Sequence, residues 1–129
     1  MTHVVLDASA ILALLKGERG ASKVAGVIAD ASMCAINQAE VISHFVYLGA
    51  PLEDVRAMLA ALPYTVIAAD DALAWDAGNL RDATSSAGLS LGDRFCLALG
   101  KRLNAPVYTA DRAWKDVAGE AAAKVIVIR

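Results

Sequence analysis

His3-Val4-Val5-Leu6-Asp7-Ala8-Ser9-Ala10-Ile11-Leu12-Ala13-Leu14-Leu15 decides the fold class, because its pattern changes halfway along. Its opening is a short apolar run rich in β-branched residues, the form of a strand buried on both faces. Asp7 interrupts that run, and Ala8–Leu15 continues in helix formers until Gly17 ends them. A buried strand feeding directly into a helix opens an α/β unit.

The alternation recurs downstream. Ala21–Asp30 has a helical pattern, Ser32–Ile36 predicts a short strand, and a helix follows over about Asn37–Leu48. Gly49-Ala50-Pro51 breaks the chain before a helix over Leu52–Leu62, which Pro63 closes. Thr65–Ile67 predicts a third strand, Asp71–Ser85 a long helix before a turn at Gly88, and Leu91–Leu103 another helix. Asn104-Ala105-Pro106 stops that helix. Val107–Thr109 then reads as a strand, Arg112–Asp116 as a helical turn and Val125–Ile128 as the last strand. Short apolar strands between helices predict a three-layer α/β/α domain with a central parallel sheet of about five strands. With no linker, repeat or charge block, one domain is expected over residues 1–129.

Composition narrows the function. Hydrophobic residues reach 57%, above the roughly 45–50% usual for soluble domains, so apolar surface is expected to remain for a partner. The apolar stretch Val4–Leu15 is split by Asp7 and is shorter than the roughly 20 residues a membrane helix needs. Cys34 and Cys96 lie inside apolar segments, where buried free thiols and a cytoplasmic home are the expected reading. The net charge of -2 argues against a protein that coats nucleic acid through phosphates. It leaves room for an enzyme that meets nucleic acid at one site through cations.

Four carboxylates stand out: Asp7, Glu40, Asp93 and Asp111. Each has a structural role open to it. Asp7 and Asp111 are placed to cap the helical turns that come directly after them. Asn37-Gln38-Ala39-Glu40 and Ser90-Leu91-Gly92-Asp93 both have the form of a capping box. Their joint placement says more. Asp7 and Asp111 directly follow strands, Glu40 starts a helix leaving another strand, and Asp93 occupies a first turn. In open parallel sheets, sites form outside the carboxyl ends of the strands.

Clustered carboxylates without cysteine or histidine ligands suit a hard cation, Mg²⁺ or Mn²⁺, and hydrolysis of a phosphodiester. The only histidines are His3 and His44, too few and too scattered for metal-free acid–base cleavage. His44 shares a helix face with Glu40, and a surface or interface role suits it better than ligation. Ser9 and Thr109 flank the acids closely enough to hydrogen-bond a carboxylate or a metal-bound water. Asn37 has the same option beside its role as a helix cap. Arg94 and Arg112 each follow an acid of the set, where either a phosphate contact or simple surface solubility explains them.

Val4-Val5-Leu6-Asp7-Ala8-Ser9-Ala10, Asn37-Gln38-Ala39-Glu40-Val41, Ser90-Leu91-Gly92-Asp93-Arg94-Phe95-Cys96-Leu97-Ala98 and Val107-Tyr108-Thr109-Ala110-Asp111 together resemble the PIN-domain family. They are most similar to its VapC-like toxins, and the resemblance covers essentially the whole chain. It implies a Rossmann-like sheet of five parallel strands and a Mg²⁺- or Mn²⁺-dependent endoribonuclease. Asp7, Glu40, Asp93 and Asp111 would be the acidic site, with Ser9 and Thr109 in support. It further implies a homodimer, an RNA substrate and a cognate antitoxin protein whose C-terminal segment blocks the site. The bare domain, without an RNA-binding appendage, resembles the toxin class more than an RNA-processing factor.

Other readings of the same residues are a PIN-like nuclease acting on DNA or in RNA processing, and a dimeric interaction module whose acids are only caps. A haloacid-dehalogenase-like phosphatase would need a second aspartate where this chain has Ser9. A receiver domain would need a better phosphoacceptor strand end than Ala68-Ala69-Asp70.

Overall fold

A computed structural model of the chain describes residues 3–117, 119 and 124–129. The elements follow in the order β1 (Val4–Leu6), α1 (Ala8–Lys16), α2 (Ala21–Val27), β2 (Ala31–Cys34), α3 (Ala35–Tyr47) and α4 (Leu52–Ala60). The second half continues with β3 (Thr65–Ile67), α5 (Asp71–Asn79), α6 (Arg81–Thr84), α7 (Leu91–Leu103), β4 (Val107–Thr109) and β5 (Val125–Val127). Single 3-10 turns cover Ile28–Asp30, Ser85–Ala87 and Arg112–Asp116.

The strands form one sheet in the order β3-β2-β1-β4-β5, and every neighbouring pair is parallel. The chain steps outward from β1 to β3, then returns to the other side of β1 for β4 and β5. This reversal places β1 beside β4 at the switch point, where open α/β sheets leave a crevice. Alternating side chains split the core in two. Val4, Leu6 and Met33 pack with Ile11, Val24, Val41 and Val55 from α1–α4 on one face. Val5, Cys34 and Val107 pack with Leu73, Ala77, Cys96, Leu97 and Leu99 from α5 and α7 on the other. The expected three-layer architecture is what the chain forms.

Details differ from expectation in three places. The second strand ends at Cys34 and α3 begins at Ala35, two residues before Asn37. Asn37 is therefore not the helix cap; Cys34 holds that position, without a side-chain capping hydrogen bond. The helix expected over Asp71–Ser85 breaks at Leu80. Gly78 and Asn79 are weak helix formers, and the hydroxyls of Thr84 and Ser85 donate to the carbonyls of Leu80 and Asp82, competing with the helical ladder. The segment Ala21–Asp30 is an α-helix only to Val27 and tightens into a 3-10 turn before β2.

Among the described residues, no helix is long and apolar enough to cross a membrane. Cys34 and Cys96 are both buried free thiols.

Candidate active site

Asp7 is built into the switch point by three elements at once. Its N–H donates to the Tyr108 carbonyl, so the β1–β4 ladder runs right up to it. Its side chain caps α1 by accepting from the Ala10 N–H at 2.8 Å. The Thr109 hydroxyl donates to Oδ2 at 2.6 Å, and the Ser9 hydroxyl lies 2.7 and 2.9 Å from the two carboxylate oxygens. Ser9 in turn accepts from the Ala110 N–H, and Thr109 Oγ1 accepts from the Asp111 N–H at 3.0 Å. Hydroxyls of two residues thus clamp Asp7 and fix the chain leading to Asp111.

This carboxylate is 4% exposed. Burial pushes its pKa up to about 6, against the opposing pull of Thr109, Ser9 and the Ala10 N–H, and the charge of Asp93 raises it further. A buried anion with a second anion in its field is a place where a cation is favoured.

Glu40 occupies the opposite wall, in the second turn of α3. Although the residue is exposed along much of its length, its carboxylate lies against the backbone of α7 at Gly92. Asn37 Nδ2 ties it there, donating to Glu40 Oε1 at 2.9 Å and to the Gly92 carbonyl at 3.0 Å. Desolvation raises the Glu40 pKa; the Asn37 hydrogen bond opposes that, and Asp93 adds to it. Asn37 itself is 1% exposed, and among the described residues its Oδ1 has no partner. Of the cap and the carboxylate contact that the sequence pattern allowed it, the structure shows the carboxylate contact.

Asp93 completes the capping box of α7: Ser90 Oγ accepts from its N–H at 3.2 Å and its Oδ2 accepts from the Ser90 N–H at 2.9 Å. Capping does not remove it from the cluster, since its charge acts on Asp7 and Glu40 alike. Cys96, one turn below on α7, is buried; burial first, and then the charges of acids including Asp7, Asp93 and Glu40, hold its thiol well above its ordinary pKa. Asp111 is exposed at the rim, where it caps the following turn through the Ala113 N–H at 2.9 Å.

Three of the four acids thus share one electrostatic field, and the fourth is tethered to it through Thr109. Among the described residues, no three Asp, Glu, His or Cys side chains are gathered tightly enough to grip a metal ion unaided. The donor chemistry fits a divalent hard cation nonetheless: every group is an oxygen, Asp7 is desolvated, and Asn37 Oδ1 is a buried acceptor left over.

The two arginines separate. Arg112 is exposed beside Asp111. Arg94 is 8% exposed and turns inward, donating from Nη1 to the Ala77 carbonyl at 3.2 Å. The expectation that Arg94 holds a phosphate is therefore corrected; its place in α7 faces the core toward α5 rather than the crevice. His44 lies against Lys16 and the edge of Phe45, and His3 meets Ser32. Sequence reasoning passed over Gly92, whose missing side chain leaves the space that the Glu40 carboxylate fills.

The sequence pattern of the PIN domain family matches residues 4–120. Among curated proteins, none matches the chain. Solved structures do. A chain of a toxin-antitoxin complex from Klebsiella pneumoniae is 17% identical over 98% of both chains, with a TM-score of 0.72. A chain of FitAcB from Neisseria gonorrhoeae is 18% identical over 97% of both, with a TM-score of 0.76. A chain of DNA-bound VapBC from Salmonella typhimurium is 14% identical over 100% of both, with a TM-score of 0.73. At these identities the likeness is one of fold.

Proposed function

The chain belongs to the PIN domain family, and from that membership we propose that it is a Mg²⁺- or Mn²⁺-dependent endoribonuclease acting as the toxin of a toxin–antitoxin pair. The observation that supports this best is Asp7: a desolvated carboxylate, clamped by Ser9 and Thr109, with Asp93 in its field at the switch point. A helix cap needs no such clamp.

Asp7, Glu40, Asp93 and Asp111 would hold the cation, with Asn37 fixing Glu40 and offering its free Oδ1 to a bound water. When bound, the cation supplies an acidified water for attack at phosphorus and neutralises charge on the departing oxygen. Ser9 and Thr109 keep both Asp7 oxygens aimed by donating to them, which also keeps the carboxylate ionised near neutral pH. Arg112, exposed at the rim, would take a substrate phosphate.

The RNA substrate, the cytoplasmic setting, a homodimer and a cognate antitoxin are part of the same reading. The structures it resembles include a toxin-antitoxin complex, FitAcB and VapBC. Exposed Tyr47 and Leu48 at the end of α3, and Trp75 on α5, leave apolar surface of the kind that protein partners cover.

The test is incubation of total cellular RNA, and in parallel single-stranded DNA, with partner-free protein in Mg²⁺, Mn²⁺ or EDTA, beside Asp93→Asn. Discrete RNA fragments that vanish with EDTA and in the variant are expected. Intact RNA in every lane from folded protein, or equal cutting by the variant, would sink the proposal. Cutting of DNA alone would keep the metal site and replace the substrate.

A further inference from the structure

Gly92 lies in the first turn of α7, between the Ser90 cap and Asp93, and is buried. Its φ is not positive, so the backbone does not demand glycine there. Glycine within a helix is disfavoured for its entropy, so some other cause must favour it. Gly26 in α2 and Gly78 in α5 show what an incidental helical glycine looks like: a β-carbon added to either would meet nothing within 4 Å. At Gly92 it would lie 2.6 Å from Glu40 Oε2 and 2.7 Å from both Cδ and Oε1. The Glu40 carboxylate occupies the place of the absent side chain. Asn37 closes the arrangement from its far side, its amide bonded both to that carboxylate and to the Gly92 carbonyl.

We infer that Gly92 is a positioning residue for Glu40: lacking a β-carbon, it admits the Glu40 carboxylate to the first turn of α7, within the field of Asp93, and so readies it for a divalent cation. The inference rests on the nuclease reading for the cation and on the geometry alone for the placement. Any side chain at 92 must displace the carboxylate, because the atoms it would strike are the movable end of Glu40 and not backbone. Displacement breaks the Asn37–Glu40 hydrogen bond and separates Glu40 from Asp93 without disturbing the core.

The experiment uses Gly92→Ala, Glu40→Asp and the double variant. Each is measured by thermal melting, by calorimetric titration with Mn²⁺, and by a crystal structure of the metal-free Gly92→Ala protein. Gly92→Ala is expected to melt no lower than wild type, to show the Glu40 carboxylate moved off residue 92, and to bind Mn²⁺ about 10- to 100-fold more weakly. Adding Glu40→Asp draws the carboxylate back by one methylene, so the double variant is expected to bind Mn²⁺ more tightly than Gly92→Ala alone. Should Gly92→Ala alone fail to fold, the double variant decides, since it restores room for the methyl group. A carboxylate that stays in place in Gly92→Ala, unchanged Mn²⁺ affinity, or a double variant weaker than both singles overturns the inference. Wild type that takes up no Mn²⁺ overturns the nuclease reading and the role given to Gly92 together, whereas loss confined to the variants cannot be mistaken for that result.

Discussion

The two walls of the acidic crevice are built by different means. On the β1–β4 wall, Asp7 sits directly at a strand end, 4% exposed, with hydroxyls from Ser9 and Thr109 and the Ala10 N–H all committed to it. On the α3–α7 wall, Glu40 and Asp93 stand on helix turns, less deeply buried than Asp7, and lean on one amide and one capping serine. Strand ends are fixed by the ladder on both sides, so an acid placed there cannot retreat from its neighbours. Acids on helix turns keep rotamers with which to adjust. The first wall should therefore set the charge, and the second should adapt to what is bound.

The largest effect is expected from removing the fixed charge. Asp7→Asn should lower metal-dependent RNA cleavage by on the order of a thousandfold, a loss of several kcal/mol of charge stabilisation. The same change should stabilise the metal-free fold. The folded pKa of about 6 lies above the ordinary 3.8, so the contribution of Asp7 to stability is full below pH 3.8 and is lost as pH rises through 6. The penalty at neutral pH is on the order of 3 kcal/mol at about 1.4 kcal/mol per unit. Melting curves in EDTA should show wild type losing stability from pH 4 to 7 more steeply than Asp7→Asn, and adding Mg²⁺ at pH 7 should raise the Tm of wild type only. Identical pH profiles for the two proteins would remove the distinction between the walls.

Next comes the clamp. Thr109→Val keeps the shape and deletes a hydroxyl that is buried and engaged with Asp7, Ser9 and the Asp111 N–H. Leaving those groups short of a partner should cost about 1–3 kcal/mol by denaturant melts, and cleavage should fall with it. Thr109→Ser should recover most of both. On the other wall, Asn37→Ala should weaken Mn²⁺ binding about tenfold with little change in stability, because Glu40 can find water as a substitute partner. If Asn37→Ala proved as destabilising as Thr109→Val, the second wall would be as rigid as the first.

The order of strands and helices was legible because each strand is a short apolar run and each stop carries its own chemistry, Gly17 and Asn104 in left-handed conformations among them. Asp7, Asp93 and Asp111 were legible through their places beside strand ends and caps. Asn37 was legible only as one of two options, a cap or a carboxylate contact, since a capping-box spacing says nothing about where the preceding strand releases the chain, and here Ala35 turns first. Arg94 misled: adjacency to Asp93 along the chain points it about 100° away around a helix, into the core. Gly92 was invisible, because the space a glycine leaves has meaning only once Glu40, 52 positions away, is known to fill it.

The smallest effect should come from Ser90→Ala, and it separates the two duties of Asp93. Ser90 Oγ accepts from the Asp93 N–H, while the Ser90 N–H holds Asp93 Oδ2. Deleting the hydroxyl removes only the first of these and should cost about 1 kcal/mol of stability, the usual value of a serine cap. The backbone donor that aims Asp93 is untouched. Cleavage at a temperature well below the melt should then fall by less than about tenfold, under the 1.4 kcal/mol that a tenfold change represents. A much larger loss would mean that the position of α7 itself, and not only the charge on Asp93, sets the site, and the second wall would then be as exacting as the first.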